Sequence, residues 1–222
     1  MSSTGRSIIR FDHPEDYYVT PIYSIEVFLQ EFDKRVKLDW NHVRILDPCA
    51  GGNSEIKNEY GVIVAKHSMS YPTAICNVFG ECDIASIDVR KDSLAELKMD
   101  YLKWDLKFYS PKIIITNPPF NLALPIIKKA LYEVADDGYV IMLLRLDFFG
   151  SKARKPFFDE NMPEWCFIHH QRMSFFDKKD SYGYVVMNEY GYPKGGGTDS
   201  SEYAHFVFHK GVKPEYTKTV II

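Results

Sequence analysis

The sequence contains few cysteines, and none of the four lies in a Cys-x-x-Cys pair or near a histidine at metal-ligand spacing. We therefore expect free thiols, a reducing compartment and no bound metal. No apolar run reaches the roughly 18 residues that a membrane-spanning helix needs, and residues 1–10 lack the pattern of a secretory signal. These absences favour a cytoplasmic protein that does not associate with membranes.

An excess of positive charge is also missing, because the formal net charge is -3. A strongly basic composition would indicate nucleic-acid binding by itself, so any nucleic-acid surface of this chain must be local. With 222 residues, 45% of them hydrophobic, the chain is long enough for one well-packed domain. The sequence contains no internal repeat and no linker, and we expect a single domain over residues 1–222.

Short apolar runs alternate with longer amphipathic segments, which is typical of an α/β fold with a largely parallel sheet. The predicted strands are 43–47, 84–89, 113–116, 138–146, 165–170 and 204–208. The predicted helices are 21–32, one from about 54, 91–98, 122–134 and 151–160. The first helix is expected to begin at Pro21 with Thr20 as its N-cap. Residues 177–202 are rich in Tyr, Gly, Lys and Asp and are predicted to form a long loop, either functional or disordered.

A glycine-containing loop, Asp47-Pro48-Cys49-Ala50-Gly51-Gly52, follows the first predicted strand. Ligands of open α/β sheets bind at the carboxyl ends of strands, and glycine lets the backbone approach a ligand closely. Asp47 suits an ammonium-bearing ligand, and the absence of a G-x-x-x-x-G-K-[ST] motif argues against a nucleotide triphosphatase. Taken alone, the loop also fits a plain strand-to-helix turn.

An acidic residue, Asp88, ends the second predicted strand. A carboxylate in this place can accept hydrogen bonds from both hydroxyls of a ribose. It can also cap a helix that begins near Lys91, and the two roles are compatible.

The motif Asn117-Pro118-Pro119-Phe120 directly follows a buried strand. The two prolines make the loop rigid and leave carbonyl acceptors. The Asn117 amide oxygen and the Pro118 carbonyl can together accept both hydrogens of an exocyclic amine, and Phe120 offers a ring for a planar base. The alternative is a proline-rich turn with an exposed phenylalanine.

This arrangement suits methyl transfer to the N6 amino group of adenine. The lone pair of N6 is delocalised into the ring, and two acceptors that hold its hydrogens localise that lone pair on nitrogen. Transfer from a sulfonium needs positioning more than a strong base. The lack of an obvious His–Asp dyad in the sequence is therefore expected.

In this order, Asp-Pro-x-x-Gly-Gly, the acidic strand end and Asn-Pro-Pro-Phe resemble the motif set of S-adenosylmethionine (SAM)-dependent amino-methyltransferases. The resemblance implies a Rossmann-like fold, with a mostly parallel seven-stranded sheet and helices on both faces. It implies SAM as cofactor, without a metal. Asp100 resembles the family's aspartate that holds the cofactor's adenine amino group. The implied cofactor-binding residues are Tyr18, Thr20, Pro21, Asp47, Pro48, Ala50, Gly51, Gly52, Asp88, Asp100 and Tyr101.

The C-terminal segments 143–151, 172–175 and 198–203 resemble phage-encoded adenine-N6 DNA methyltransferases. This resemblance implies double-stranded DNA with a flipped adenine as substrate, and a bacterial or phage-infected cytoplasm. It places Phe175 behind the extruded base. The basic residues expected at the nucleic acid are Lys152, Arg154, Arg172, Lys178 and Lys179. A separate target-recognition domain and an obligate protein partner are not evident, so sequence specificity must come from short loops or be slight.

Four alternatives remain open. RNA adenine methyltransferases and protein glutamine methyltransferases have a similar Asn-Pro-Pro-[Phe/Tyr] loop, whereas cytosine-N4 enzymes usually carry a serine in place of Asn117. A catalytically inactive nucleic-acid-binding relative is the fourth. His169 and His170 are predicted to be one core and one surface histidine rather than a metal pair.

Overall fold

The computed structural model describes residues 18–57, 63–177, 186, 189, 194–197 and 200–222. Its helices are α1 (Ile22–Val36), α2 (Ser70–Phe79), α3 (Ala123–Glu133) and α4 (Lys155–Glu160). Its strands are β1 (Arg44–Asp47), β2 (Asn53–Lys57), β3 (Ile63–His67), β4 (Asp83–Asp88), β5 (Leu97–Lys98), β6 (Ile113–Thr116), β7 (Tyr139–Arg145), β8 (Trp165–Ile168), β9 (Phe176–Asp177), β10 (Gly195–Gly197), β11 (Tyr203–His209) and β12 (Lys218–Ile221).

Eight of these strands form one sheet in the order β12-β8-β11-β7-β6-β1-β4-β5. Strand β11 runs antiparallel to β7 and β8, and the other neighbouring pairs are parallel. The mostly parallel sheet is confirmed, but the predicted number of seven strands is wrong by one. Two strands of the sheet, β5 and β12, were not among those predicted from the sequence; they lie at its two edges, where β5 pairs with β4 and β12 pairs with β8.

Helices cover both faces of the sheet, as predicted. Alternate strand residues point to opposite faces, so that Ile113 and Ile115 pack with α1 and α2 whereas Ile114 packs with α3. Phe28 and Phe32 of α1 are fully buried in the first of these two cores. The residues on the α1 and α2 side of the sheet form one hydrophobic core, and those on the α3 side form a second. Together the two cores hold the central strands rigidly and fix the positions of the loops at their ends.

The helix predicted from about Ser54 is wrong. Strands β2 and β3 pair there as an antiparallel hairpin, and α2 begins only at Ser70. Ile63 and Val64 at the start of β3 explain the difference, because β-branched residues favour strands over helices.

The helix predicted for residues 91–98 is also wrong. The Asp88 carboxylate accepts the Arg90 N–H at 2.8 Å, and the Ser86 hydroxyl accepts the Glu96 N–H at 3.0 Å. The Ser86 side chain thus binds a backbone donor that a helix over 91–98 would use, and the chain continues into β5. Asp88 consequently caps no helix.

Other boundaries differ by a few residues. The N-cap of α1 is Pro21, not Thr20, and α4 begins at Lys155 rather than at 151. His169 is buried and His170 exposed, as predicted. Most of the predicted loop 177–202, including Lys178 and Lys179, lies outside the described residues. Within the described part of the chain, no helix has the length and apolar character to cross a membrane.

Candidate functional site

A cleft of about 870 Å³, its open mouth included, lies at the carboxyl ends of β1, β4 and β6. Strand β1 lies between β4 and β6, where the chain order of the sheet reverses, and such switch points form ligand sites in α/β folds. The cleft brings together thirteen residues that the sequence predicted for a site: Tyr18, Thr20, Pro48, Ala50, Gly51, Gly52, Asp88, Asp100, Tyr101, Asn117, Pro118, Pro119 and Phe120.

Six predicted site residues do not line this cleft: Pro21, Asp47, Lys152, Arg154, Arg172 and Phe175. Conversely, several lining residues were not predicted, among them Tyr71, Arg90 and Ile126. Tyr71 lies far in sequence from the motifs, and Arg90 and Ile126 lie closer to them but belong to no recognisable pattern, so position in the fold alone reveals them.

The glycine loop is held against β4 by backbone hydrogen bonds, including Ala50 N–H to the Ile87 carbonyl at 2.8 Å. Gly51 and Gly52 have φ values of 66° and 75°, in the left-handed region that favours glycine. A Cβ on Gly52 would lie 2.9 Å from Leu94 Cβ, so the loop also has no room for a side chain there. The sequence thus permits a backbone surface that a ligand can approach closely.

Asp88 and Arg90 form a buried network beneath this loop. The Asp88 carboxylate accepts the Gly51 N–H at 2.8 Å and the Arg90 N–H at 2.8 Å, and it lies 3.4 Å from Arg90 Nε. The guanidinium of Arg90 also donates to the Gly52 carbonyl at 2.9 Å. Arg90 is 3% exposed. This network joins the end of β4 to both glycines.

Asp47 lies below the cleft and is fully buried, with Oδ1 accepting the Cys49 N–H at 3.2 Å. Burial raises the pKa of Asp47 to about 7, although the Thr116 hydroxyl and the Cys49 N–H act in the opposite direction. The Asp47 carboxyl thus binds the backbone of the glycine loop at Cys49.

Asp100 and Tyr101 lie at another wall of the cleft. The Asp100 carboxylate accepts the Leu102 N–H at 3.0 Å and pairs with Lys103 at 3.2 Å. The Tyr101 ring is buried, with Lys129 Nζ 4.8 Å from its centroid. Burial and the neighbouring Glu133 carboxylate raise the pKa of Tyr101, which keeps its hydroxyl neutral.

Asn117 stands at the end of β6, and its side-chain amide is held at one end. Asn117 Nδ2 donates to the Thr20 hydroxyl oxygen at 3.0 Å. Asn117 Oδ1 is buried and has no hydrogen-bond partner among the described residues. A buried acceptor of this kind is costly unless something binds it.

Four aromatic rings beside Asn117 contact one another in a closed cycle: Tyr18, Phe120, Phe175 and Tyr203. The centroid of Tyr18 is 6.3 Å from Phe120 in a stacked arrangement and 6.0 Å from Phe175 edge-on. Tyr203 completes this aromatic cluster at 4.8 Å from Phe175 and 5.9 Å from Phe120. Phe175 thus lies near Phe120, although it is outside the cleft lining.

Tyr71 links the cleft to two buried histidines. Its hydroxyl is 3.0 Å from His205 Nε2, and His205 Nδ1 is 2.9 Å from His169 Nε2. Burial lowers the pKa of His169 to about 4 and that of His205 well below its usual value. Both rings are therefore neutral at pH 7.

The predicted phosphate contacts differ in availability. Arg154 donates to the carbonyls of Phe148 and Asp147 at 2.6 and 3.0 Å, so its guanidinium closes a local turn. Arg172 is half-exposed beside Glu202, at 3.5 Å, and Lys152 is exposed. Arg172 and Lys152 remain accessible to an anionic ligand.

No protein-family model and no curated protein sequence matches this chain. Solved structures do. A Listeria monocytogenes protein, described as a candidate class I SAM-dependent methyltransferase, matches with a TM-score of 0.57 and 16% identity over 96% of this chain and 67% of its own. The M protein of the type I restriction enzyme EcoKI matches with a TM-score of 0.51 and 11% identity, over 90% of this chain and 45% of its own. A candidate hemolysin from Lactococcus lactis matches with a TM-score of 0.50 and 10% identity, over 92% of this chain and 94% of its own.

Identities this low establish the fold alone, and the three similar proteins carry different names. The chain has the Rossmann-like fold of class I SAM-dependent methyltransferases.

Proposed function

We propose that this protein transfers a methyl group from SAM to the N6 amino group of adenine in DNA. The observation that carries the proposal is the Asn117 amide at the end of β6. Its nitrogen is bound by Thr20, and its buried oxygen Oδ1 has no partner among the described residues. An acceptor in this state fits an N–H donor that arrives with the substrate.

The cleft residues fit SAM. The close backbone approach at Gly51 and Gly52 suits the methionine part, and Asp88 suits the ribose. A carboxylate offers about four acceptor positions, and the loop and Arg90 already use two or three of them. Asp100 and the Tyr101 ring suit the adenine. When bound, SAM supplies a methyl group on a positively charged sulfur.

The chain's own residues would hold the amine that accepts this methyl group. Asn117 Oδ1 and the Pro118 carbonyl would accept the two N6 hydrogens and localise the nitrogen lone pair for attack. The aromatic cluster would take the planar base, which must leave the helix stack to reach the cleft. The N6 proton becomes strongly acidic on methylation and leaves without a tuned base.

Two observations support the substrate class. A cluster of aromatic rings beside the amine site suits a planar base better than the aliphatic side chain of glutamine. DNA is favoured by the C-terminal resemblance to phage enzymes, and one of the similar structures belongs to a restriction enzyme. RNA adenine is the second candidate, because an unstacked adenine offers the same amine and ring.

The test is nucleoside mass spectrometry after incubation of the protein with methyl-labelled SAM and with either double-stranded DNA or RNA. We expect labelled N6-methyladenine in DNA. Replacing Asn117 by alanine should lower the transfer rate by roughly 10² or more, as for one preorganised transition-state contact. Asn121→Ala, an exposed position in the same turn, is the matched control and should keep the wild-type rate.

Label in RNA alone would transfer the assignment to RNA adenine. Labelled N4-methylcytosine or a methylated protein would contradict adenine as the acceptor. An Asn117→Ala variant with the wild-type rate would refute the proposed role of the amide.

A further inference from the structure

The sequence resemblance implies that Thr20 binds the cofactor, yet its hydroxyl has a protein partner. Thr20 is 3% exposed, and its oxygen accepts a hydrogen bond from Asn117 Nδ2 at 3.0 Å across 97 positions of sequence. On these grounds, and resting on the function proposed above, we infer that Thr20 is a positioning residue that holds the Asn117 amide for the substrate.

The two ends of the Asn117 amide have different chemistry, and Thr20 binds the end that the substrate does not need. With Nδ2 bound to Thr20, Oδ1 is left to accept an N–H. In the flipped orientation the hydroxyl would bind Oδ1, and both hydrogens of a buried Nδ2 would lack an acceptor. A flipped amide would also present donors to an amine that is itself a donor.

The local backbone explains why the hydroxyl of Thr20 is available. Threonine before a helix usually caps it, but the N-cap of α1 is Pro21 and no side chain caps the helix. The fully buried Phe28 and Phe32 anchor α1 in the core. The helix therefore holds residue 20 at a fixed place facing the end of β6.

The same short segment also reaches the aromatic cluster. Tyr18, two residues before Thr20, stacks on Phe120 and contacts Phe175 edge-on. Residues 18–20 thus contact both the amide and the rings proposed to hold the base. A change in Thr20 should accordingly affect the methyl-transfer step more than binding of the cofactor.

The experiment combines three variants, Thr20→Val, Thr20→Ser and Asn117→Ala, with the double variant Thr20→Val/Asn117→Ala. Valine matches threonine in shape but leaves Asn117 Nδ2 without an acceptor, and we expect single-turnover transfer to slow about tenfold or more. Serine keeps the hydroxyl and should restore most of this rate. The double variant should be as slow as Asn117→Ala alone, because Thr20 acts through Asn117. The SAM Kd of Thr20→Val, from isothermal titration, should stay within about twofold.

Three results would overturn the inference. One is a weaker SAM Kd in Thr20→Val together with a normal rate at saturating SAM, which would make Thr20 a cofactor contact. Another is a double variant whose loss is the product of the two single losses. The third is a serine variant as slow as the valine variant, because the hydroxyl would then be irrelevant.

A measurement on the free protein separates this inference from the proposed function. The side-chain NH₂ signals of Asn117, assigned by their loss in Asn117→Ala, should shift and exchange faster in Thr20→Val and remain near their wild-type positions in Thr20→Ser. Unchanged signals in Thr20→Val would overturn the inference even if DNA is methylated. If the wild-type protein methylates an acceptor other than adenine in DNA, the proposed function is wrong. The inference about Thr20 can still be tested then, by these NMR signals and by measuring the four variants on that other acceptor.

Discussion

Replacing Asp88 by alanine removes a carboxylate that binds both the glycine loop and a buried arginine. The Gly51 and Arg90 N–H groups lose their acceptor, and the Arg90 guanidinium loses the carboxylate 3.4 Å from its Nε. The side chains of Arg90 and Asp88 are 3% and 8% exposed, so water cannot replace these contacts without local opening. The substitution should therefore affect both stability and binding of the cofactor.

The expected loss of stability follows from this burial. Removing one partner of a buried charge pair costs about 3–5 kcal/mol. For a chain of this length each kcal/mol lowers the Tm by roughly 2–4 °C, so Asp88→Ala should melt about 6–20 °C below wild type. Loss of the ribose contacts proposed for Asp88 should weaken SAM binding by about 2–4 kcal/mol, roughly 30- to 700-fold in Kd.

Asp92 provides the matched control. Its carboxylate contacts the same guanidinium at 3.3 Å, but its side chain is 50% exposed. An exposed pair contributes about 0.2–1 kcal/mol, so Asp92→Ala should melt within roughly 4 °C of wild type. Urea-induced unfolding followed by circular dichroism and isothermal titration with SAM measure the two effects. Equal stability of the two variants would refute the structural role of the buried network, and an unchanged SAM Kd in Asp88→Ala would refute the ribose contact.

Three further predictions concern pH, base capture and salt. The pKa of His169 is about 4 in the folded protein, against about 6.5 in the unfolded chain. As the pH falls, the unfolded chain therefore binds the proton first, and the free energy of unfolding decreases between pH 6.5 and pH 4. Urea-induced unfolding should therefore show that the free energy of unfolding falls by about 2 kcal/mol less in His169→Gln than in wild type when the pH is lowered from 7 to 5. Phe120→Ala should weaken capture of a flipped base by about 1–3 kcal/mol, read from the fluorescence of 2-aminopurine at the target, whereas Phe108→Ala, 83% exposed, should not. DNA affinity should fall steeply as the salt concentration rises. Arg172→Ala should reduce the slope of log affinity against log salt concentration by about 0.9, relative to the control Lys34→Ala at the end of α1. A flat salt response would contradict a nucleic-acid substrate.

Local sequence predicted the central strands well because burial on both faces leaves an unbroken apolar run. Ile113-Ile114-Ile115 is such a run, and each residue packs into one of the two cores. The region after the glycine loop was predicted wrongly because a short antiparallel strand pair and a helix are both compatible with its apolar content. The helix predicted for 91–98 failed for another reason, since the Ser86 side chain binds the Glu96 N–H that this helix would use.

In the candidate site, too, residues in continuous sequence motifs were predicted, whereas residues brought in from distant parts of the chain were missed. Residues 47–52 and 117–120 are continuous in sequence, and all but Asp47 either line the cleft or flank it. Tyr71 and Tyr203 were not predicted as site residues, because their contacts join positions far apart, such as Tyr71 and His205, separated by 134 positions. Arg90 was closer to recognition, since it follows Asp88 by two residues, but a basic residue there belongs to no motif that we could read.

The negative net charge of the chain, which does not suggest nucleic-acid binding, is consistent with the distribution of charge along one edge of the sheet. Asp88 and Asp100 line the cleft at the end of β4 and just after β5, where carboxylates favour a cationic ligand such as SAM. Arg145 ends β7, where its side chain is 43% exposed and pairs with Asp147 at 2.9 Å, and Arg172 pairs with Glu202, which directly precedes β11. Asn117 directly follows β6, which lies between these two groups of strands. In the proposed reaction the cationic donor would lie on the side of Asp88 and Asp100 and the anionic strand on the side of the arginines, with Asn117 between them.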